Sequence, residues 1–131
     1  MKQLIVILVS ILCLAACSST KTTKVKEPKE EPVVIENDSL EYRIIILDLG
    51  FNTYLNTIAR PKEFYTQQYY ENKNLFYVNE WNIRNRDPLR WGDFYQSKID
   101  YSPQVDYGLD VNYKLYNYFK FCEHKYGIRF F

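Results

Sequence analysis

Cys17 is the residue whose surroundings point most directly to a chemical reaction. Leu-Ala-Ala at residues 14–16 precedes it, behind an apolar run at 4–13 and a single cation, Lys2. A charged start, a short apolar stretch and small residues before a cut site are typical of a secretory signal. The run is too short for a stable membrane anchor, which needs about 20 residues. We therefore expect residues 1–16 to be a signal peptide that is removed.

The Leu-Ala-Ala-Cys sequence resembles the lipobox of bacterial lipoproteins. In that class the cysteine sulfur takes a diacylglyceryl group, the preceding peptide is removed, and the new amino terminus is usually acylated, for instance with palmitate. Acyl chains contribute about 0.8 kcal/mol per buried CH₂, so two or three chains hold a protein on a membrane. The resemblance implies that Cys17 is attached to membrane lipid. The alternative, an ordinary signal peptide, would leave Cys17 as a free thiol.

A second group of residues combines cations with aromatic rings. Arg84, Arg86 and Arg90 lie between Trp81 and Trp91. Arginines can hold an anion with paired hydrogen bonds and tryptophans can stack on a sugar, so this group is a candidate site for a glycan or anionic ligand. In the alternative, the group ends a helix, Arg84 pairs with an acidic side chain four residues earlier, and the arginines stack on tryptophans at the core edge.

Side chains suited to nucleophilic catalysis or metal binding are sparse. His124 is the single histidine, and Cys122 lies two positions before it, which on a helix directs the two side chains to opposite sides. We therefore expect no Cys-His dyad. With so few His and Cys residues we also predict no transition-metal site, and no motif indicates a cofactor.

Carboxylates in the second half of the chain offer another kind of chemistry. Asp93, Asp100, Asp106 and Asp110 lack the alternate-residue spacing and the glycine of a calcium loop. A general acid and base need only meet in space, so a glycosidase-like pair stays open as a hydrolase hypothesis. Helix capping is the alternative, and it places Asp106 or Asp110 at the start of the last helix.

Composition limits the classes of protein that fit. The chain has 131 residues, a formal net charge of +1, 47% hydrophobic and 25% charged residues, which is ordinary for a globular protein. The charge argues against a basic nucleic-acid binder. Aromatic residues make up 18% of the chain, and all of them lie at or after Tyr42. We therefore expect Tyr and Phe to fill the core.

The sequence divides into a polar segment and one domain. Residues 18–32 are mostly Ser, Thr, Lys, Glu and Pro with Val25 as the only strongly apolar side chain before the end of the segment. Such a segment buries too little apolar area to offset its ordering entropy. We expect 17–32 to be a lipidated cysteine with a flexible tether, and 33–131 to be a single aromatic-rich globular domain.

The hydrophobic patterns predict an α+β fold that is mostly helical. A strand is expected near 40–48, buried because Ile45 and Leu47 add apolar side chains to its second face. Helices are expected near 51–59, with Asn52 as cap, near 62–86 and near 108–126. The run at 75–81 also suits a strand, because its side chains favour sheets.

Four segments of the chain are similar to one family. These are PVVIENDSLEY at 32–42, ENKN at 71–74, EWN at 80–82 and VNYKLYNYF at 111–119. They resemble an uncharacterised bacterial envelope lipoprotein family, a domain of unknown function, and the resemblance covers nearly all of 32–126. It implies an envelope lipoprotein with no assigned activity, and no catalytic residues can be carried over.

Three functions are compatible with these features. We favour a non-enzymatic binding or structural module, tethered through Cys17 to the cell envelope and contacting an envelope protein or glycan. Serines rather than an aspartate follow Cys17, which favours the outer membrane of a Gram-negative bacterium. The second function is binding of a glycan or anion, and it gains support if Trp81 and Trp91 line an open groove. The third is hydrolysis of cell-wall or polysaccharide material.

Overall fold

The computed structural model describes residues 31–131; the predicted signal peptide, Cys17 and most of the predicted tether lie outside the described residues. The strands are β1 (Val33–Asn37) and β2 (Tyr42–Ile46), and the helices are α1 (Phe51–Thr57), α2 (Gln67–Asn85), α3 (Pro88–Trp91) and α4 (Gly108–Tyr126). The predicted α+β, mostly helical class is confirmed. In this part of the chain no helix is both long and apolar enough to cross a bilayer.

The two strands form an antiparallel hairpin that the sequence patterns predicted only in part. Val33 lies opposite Ile46 at the open end, and Asn37 lies opposite Tyr42 at the turn. A short 3₁₀ turn joins them and closes at Glu41, whose φ of 51° is left-handed. β1 was missed because its short apolar run directly follows a long polar segment, whereas β2 falls within the predicted 40–48 strand.

The prediction that the 40–48 strand is buried on both faces at one end is wrong. Ile46 is 4% exposed, but Ile45 and Leu47 are 53% and 75% exposed. A two-stranded sheet buries only the face that a helix covers, and here β1 packs against α4. The outer face of the hairpin keeps its apolar side chains in contact with solvent.

The first two helices differ from the predictions at their ends. α1 ends at Thr57 and begins after Gly50, whose φ of 94° suits glycine, so Asn52 is not its cap. The expected helix at 62–86 is interrupted: a 3₁₀ turn at Lys62–Phe64 precedes α2, and the Thr66 hydroxyl caps α2 by accepting a hydrogen bond from the Tyr69 N–H at 3.2 Å. The strand alternative at 75–81 is wrong, because these residues are helical.

The last helix follows the prediction for 108–126, and both aspartates expected at its start are there. The Asp106 carboxylate accepts a hydrogen bond from the Gly108 N–H at 3.0 Å. Asp110 lies in the first turn and pairs with Lys62 at 3.0 Å and Lys114 at 2.8 Å. Negative side chains at a helix start offset its unpaired N–H groups and its dipole.

α2 and α4 pack side by side and run in the same direction. Near their starts the Tyr70 and Tyr113 rings are 5.8 Å apart, and further along Tyr77 stacks on Phe119 at 5.1 Å. A helix the length of α2 spans about 28 Å, so the chain needs the long connection at 86–107 to return to the start of the pair.

Aromatic rings supply most of the core, as the composition predicted. The aromatic members are Phe51, Tyr54, Tyr77, Trp81, Tyr95, Tyr107, Phe119, Phe121 and Phe130. Among them lies a wholly buried amide pair, in which the Asn74 side chain donates to the Asn112 carbonyl at 2.9 Å. This directed contact fixes how α2 sits along α4, because a shift of either helix would leave buried amides unpaired.

We predict that Leu115→Ala lowers the free energy of unfolding by about 2–5 kcal/mol, because Leu115 is wholly buried in α4 and its loss leaves a cavity. Leu89→Ala is the matched control: Leu89 is fully exposed, and its loss should change the free energy by no more than about 0.5 kcal/mol. Urea denaturation of both variants measures the difference. Equal effects would contradict this placement of the core.

Candidate functional site

We call Trp81, Arg84, Arg86, Arg90 and Trp91 the Trp–Arg group. Arg84 is at its centre, and each of the three guanidinium nitrogens makes a hydrogen bond within the protein. Its Nε pairs with Glu80 at 2.8 Å, Nη1 donates to the Tyr95 hydroxyl at 2.8 Å, and Nη2 donates to the Arg129 carbonyl at 2.7 Å. The residue is 6% exposed. Arg84 therefore joins α2, the connection after it and the C-terminal segment.

Aromatic rings surround the same guanidinium. Its Cζ lies 4.5 Å from the Trp91 ring centroid and 5.1 Å from that of Phe130. Burial lowers the pKa of Arg84, whereas hydrogen bonds with Tyr95 and Glu80 raise it, and the net direction is upward. The side chain stays cationic, which suits both its carboxylate partner and the faces of the rings.

The other members of the Trp–Arg group occupy different environments. Trp81 is 5% exposed, whereas Trp91 is 36% exposed and carries Arg90 over its ring at 5.1 Å. Arg86 is exposed and donates to the backbone of α2. The structure brings Arg84, Arg90 and Trp91 together but places Trp81 in the core, so the five side chains do not line one open groove. The helix-end alternative describes this arrangement, and ligand binding by the exposed members stays a prediction.

A cleft of about 500 Å³ lies between β2 and the connection that follows α3. One wall is the consecutive run 44–48, which comprises the end of β2 and the two residues after it, and the other wall comes from residues 93–99. Leu115 and Tyr118 of α4 and Trp81 of α2 complete the lining. The lining side chains are mostly apolar, and they include two carboxylates and no lysine or arginine.

Side chains of α2 hold the second wall of the cleft in place. Trp81 Nε1 donates to the Ser97 carbonyl at 2.8 Å. The Asn82 amide makes two bonds with the backbone of Ile99, donating to its carbonyl at 2.8 Å and accepting from its N–H at 2.9 Å. An irregular connection is therefore fixed by side chains, because it has no backbone partner in the sheet.

Asp48 is a polar residue of the cleft whose carboxylate accepts two side-chain hydrogen bonds. Its Oδ2 accepts from the Tyr118 hydroxyl at 2.9 Å, and its Oδ1 accepts from the Tyr126 hydroxyl at 2.7 Å. Burial, and then the neighbouring Asp48 carboxylate, raise the pKa of Tyr126, so this phenol keeps its proton and stays a donor. The two phenol donors hold the carboxylate in one position, which suits positioning and binding.

The remaining carboxylates are dispersed. Asp93 also lines the cleft, Asp106 and Asp110 lie at the start of α4, and Asp100 is exposed in the connection. Among residues 31–131, no three His, Cys, Asp or Glu side chains lie close enough to hold a metal ion. The hydrolase hypothesis stays a prediction, with Asp48 and Asp93 as the carboxylates that share a cavity.

Cys122 and His124 do not form a dyad, as their spacing predicted. Cys122 is wholly buried in the core, whereas His124 is exposed, with its ring 5.7 Å from that of Tyr54. Burial raises the pKa of the Cys122 thiol to about 12. The reactive thiolate is therefore absent at neutral pH, and Cys122 acts as a small apolar side chain.

The cleft and Asp48 are the features that sequence reasoning missed as a site. The sequence indicated only that Asp48 ends a strand. Its two phenol partners lie in α4, about seventy positions further along the chain. Neither tyrosine differs in local pattern from the chain's other tyrosines, so no signal in the sequence singles them out.

We predict that Arg84→Lys lowers the free energy of unfolding by about 1–3 kcal/mol, because a lysine cannot keep three directed hydrogen bonds to separate partners. Amide hydrogen exchange should also become faster at 128–130, since the Arg129 carbonyl loses its donor. The control is Arg86→Lys, because Arg86 is exposed and directly follows the end of α2. If the amides at 128–130 exchange at the same rate in both variants, Arg84 is not the group that holds the C-terminal segment.

We predict that stability falls as the pH rises from 9 towards 12. The pKa of Cys122 is raised from 9.0 to about 12, so the unfolded thiol loses its proton in this range while the folded thiol keeps it. Its contribution is fully present below pH 9 and is lost at up to about 1.4 kcal/mol per pH unit above it. Tyr101, raised from 10.0 to about 12, acts in the same direction. Urea denaturation across this range should show a smaller loss for Cys122→Ala; an identical loss would exclude the thiol as a cause.

Comparison with known proteins identifies the family of the chain but brings no activity. A family of unknown function, DUF6146, matches residues 4–131. No curated protein and no solved structure matches the chain. The match starts within the apolar run before Cys17 and extends through α4 to the last residue, so it includes both the described domain and the segment before it. The chain therefore belongs to the family of unknown function DUF6146.

Proposed function

We propose that this chain is a lipoprotein of the bacterial cell envelope, attached to the membrane through Cys17 and presenting its folded domain as a binding or structural module. The observation that carries the proposal is the Leu-Ala-Ala-Cys sequence at 14–17, directly behind a short apolar run. The family match begins at residue 4 and thus includes this segment, which supports the view that the segment is a feature of the family.

The chemistry of the described domain favours binding over catalysis. The buried Arg84 guanidinium makes hydrogen bonds to three partners, and the pKa of the buried Cys122 thiol is far above neutrality. The Asp48 carboxylate accepts hydrogen bonds from two tyrosine hydroxyls. The guanidinium and the carboxylate are hydrogen-bonded inside the protein, and the thiol stays protonated in the core, so none of the three groups is an activated nucleophile beside a base, as covalent catalysis needs.

The cleft beside β2 is the surface on which we place the module's binding activity. It combines apolar walls with carboxylates at Asp48 and Asp93, and its second wall is fixed by hydrogen bonds from α2. A concave, mostly apolar surface with a few positioned polar groups is the usual form of a binding site.

A glycan or anion is the second candidate ligand. The observation that favours it is the exposed pair at α3, where Arg90 lies over the face of Trp91 at 5.1 Å while Arg86 is exposed nearby in sequence. The guanidinium groups of Arg90 and Arg86, next to the partly exposed Trp91, suit an anion or a sugar with an acidic substituent. Arg84 takes no part, because its donors are occupied.

We predict that Cys17→Ala moves the protein from the membrane fraction to the soluble fraction when it is expressed in a Gram-negative host. The cysteine sulfur is the acceptor for the lipid, so without it no acyl chain is attached. Cys122→Ala is the matched control, because it removes the other cysteine that the mature chain would contain and should leave the protein on the membrane. Partition between detergent and water, with separation of inner and outer membranes, measures both.

Mass spectrometry of the N-terminal peptide gives the direct readout. The proposal expects a chain that begins at residue 17 and carries a diacylglyceryl group on its sulfur. A free thiol at Cys17, a retained leader or unchanged membrane association of Cys17→Ala would overturn it.

A further inference from the structure

Three large apolar side chains are exposed at the open end of the hairpin. Ile45, Leu47 and Leu49 are 53%, 75% and 61% exposed, whereas the intervening Ile46 and Asp48 are buried or half-buried. The alternation places Ile45 and Leu47 on the side of the hairpin that faces away from the core, and Leu49, exposed in the turn that follows, completes the three. We call them the open-end surface.

The chain enters the domain beside this surface. β1 begins at Val33, which lies opposite Ile46, and Val34 lies opposite Ile45. The segment that leads back to Cys17 therefore starts at the same end of the hairpin as the open-end surface, and the turn of the hairpin lies at the other end.

The outer face of the hairpin changes character along its length. Towards the turn, Glu36 and Arg43 form an ion pair at 2.8 Å across the strands. Towards the open end, the next outward pair is Val34 and Ile45, followed by Leu47. The apolar half thus lies at the end where the chain enters, and the charged half lies away from it.

We infer that the open-end surface rests on the lipid bilayer, with Leu47 and its neighbours inserted among the head groups; this inference rests on the proposed attachment through Cys17. Residues 18–32 can span at most about 50 Å, so an anchor at Cys17 keeps the entry point of the domain near the membrane. Because that anchor makes the contact intramolecular, a small apolar surface with weak affinity of its own suffices to orient the domain.

The charges around the surface are compatible with this contact. The Asp48 carboxylate, between Leu47 and Leu49, is directed to Tyr118 and Tyr126 instead of outward. Lys125 donates to the Leu49 carbonyl, which places a cation beside the surface, where it can approach lipid phosphates. With the domain seated this way, its cleft opens beside the membrane, because Ile45 and Leu47 belong both to the cleft lining and to the open-end surface.

The experiment measures membrane depth at Leu47 in the acylated full-length protein. Leu47→Cys is labelled with a polarity-sensitive fluorophore in vesicles of phosphatidylethanolamine and phosphatidylglycerol, part of which carry brominated acyl chains. The label goes to the new cysteine alone, because Cys122 is wholly buried and the sulfur of Cys17 is a thioether. The matched position is Ile83→Cys, 52% exposed and two positions after the inward-facing Trp81, hence on the outer side of α2.

The expected result is a blue shift at position 47 and severalfold stronger quenching by the brominated lipid than at position 83. Adding Ile45→Glu should reduce quenching at 47 to the level seen at 83, because a carboxylate there opposes insertion. Ile83→Glu is its control, since Ile45 and Ile83 are 53% and 52% exposed, and it should leave quenching at 47 unchanged.

Equal quenching at 47 and 83 overturns the inference. A blue shift at 47 that appears without vesicles and grows with protein concentration also overturns it, because a second copy would then cover the surface. Failure of the anchor is separable: if mass spectrometry finds Cys17 unacylated, Cys17→Ser is combined with Leu47→Cys so that position 47 alone is labelled, and this chain is held on nickel-chelating lipid by a hexahistidine that replaces the leader. Selective quenching at 47 there supports the inference, and its absence overturns it.

Discussion

The packing of α2 against α4 is the contact on which the rest of the structure depends. Both helices present aromatic rings to each other, and the buried amides of Asn74 and Asn112 fix their relative position. Because the helices run in the same direction, the connection between them has to return along their length. That return path brings residues 93–99 opposite residues 44–48, and the cleft is the space left between them.

A core of phenols and indoles brings its own constraint, since each polar atom that is buried needs a partner. Most are satisfied by backbone carbonyls or carboxylates, as with Trp81 and Tyr118. Within residues 31–131, the buried side-chain atoms without a partner are the Tyr42 hydroxyl and Asn74 Oδ1. The result is a domain whose polar side chains work mostly to hold irregular segments in place.

This structural use of the polar side chains bears on function. The residue types that attracted attention as chemistry, Arg84 and Cys122 above all, turn out to stabilise the fold, one by tying three segments together and the other by filling space. Three surfaces that stay open are the cleft, the exposed Arg90–Trp91 pair and the apolar open end of the hairpin. All three are surfaces suited to contact, which agrees with the binding or structural module that we propose.

How much the sequence could predict depends on how far apart the interacting residues are. Spacing within one or two helical turns was enough to predict several features. These are helix α4, the aspartates at its start, the separation of Cys122 from His124 and the pairing of Glu80 with Arg84. Such features are set by the geometry of the helix itself. The resemblance of residues 14–17 to a lipobox is likewise local.

Tertiary structure decided the rest. It paired β1 with β2, left Ile45 exposed where the pattern predicted burial, and withdrew Trp81 from the predicted ligand site. It also brought Tyr118 and Tyr126 of α4 to Asp48, across some seventy positions of chain. Whether an apolar or aromatic side chain is covered depends on which element packs over it, and no local pattern contains that information.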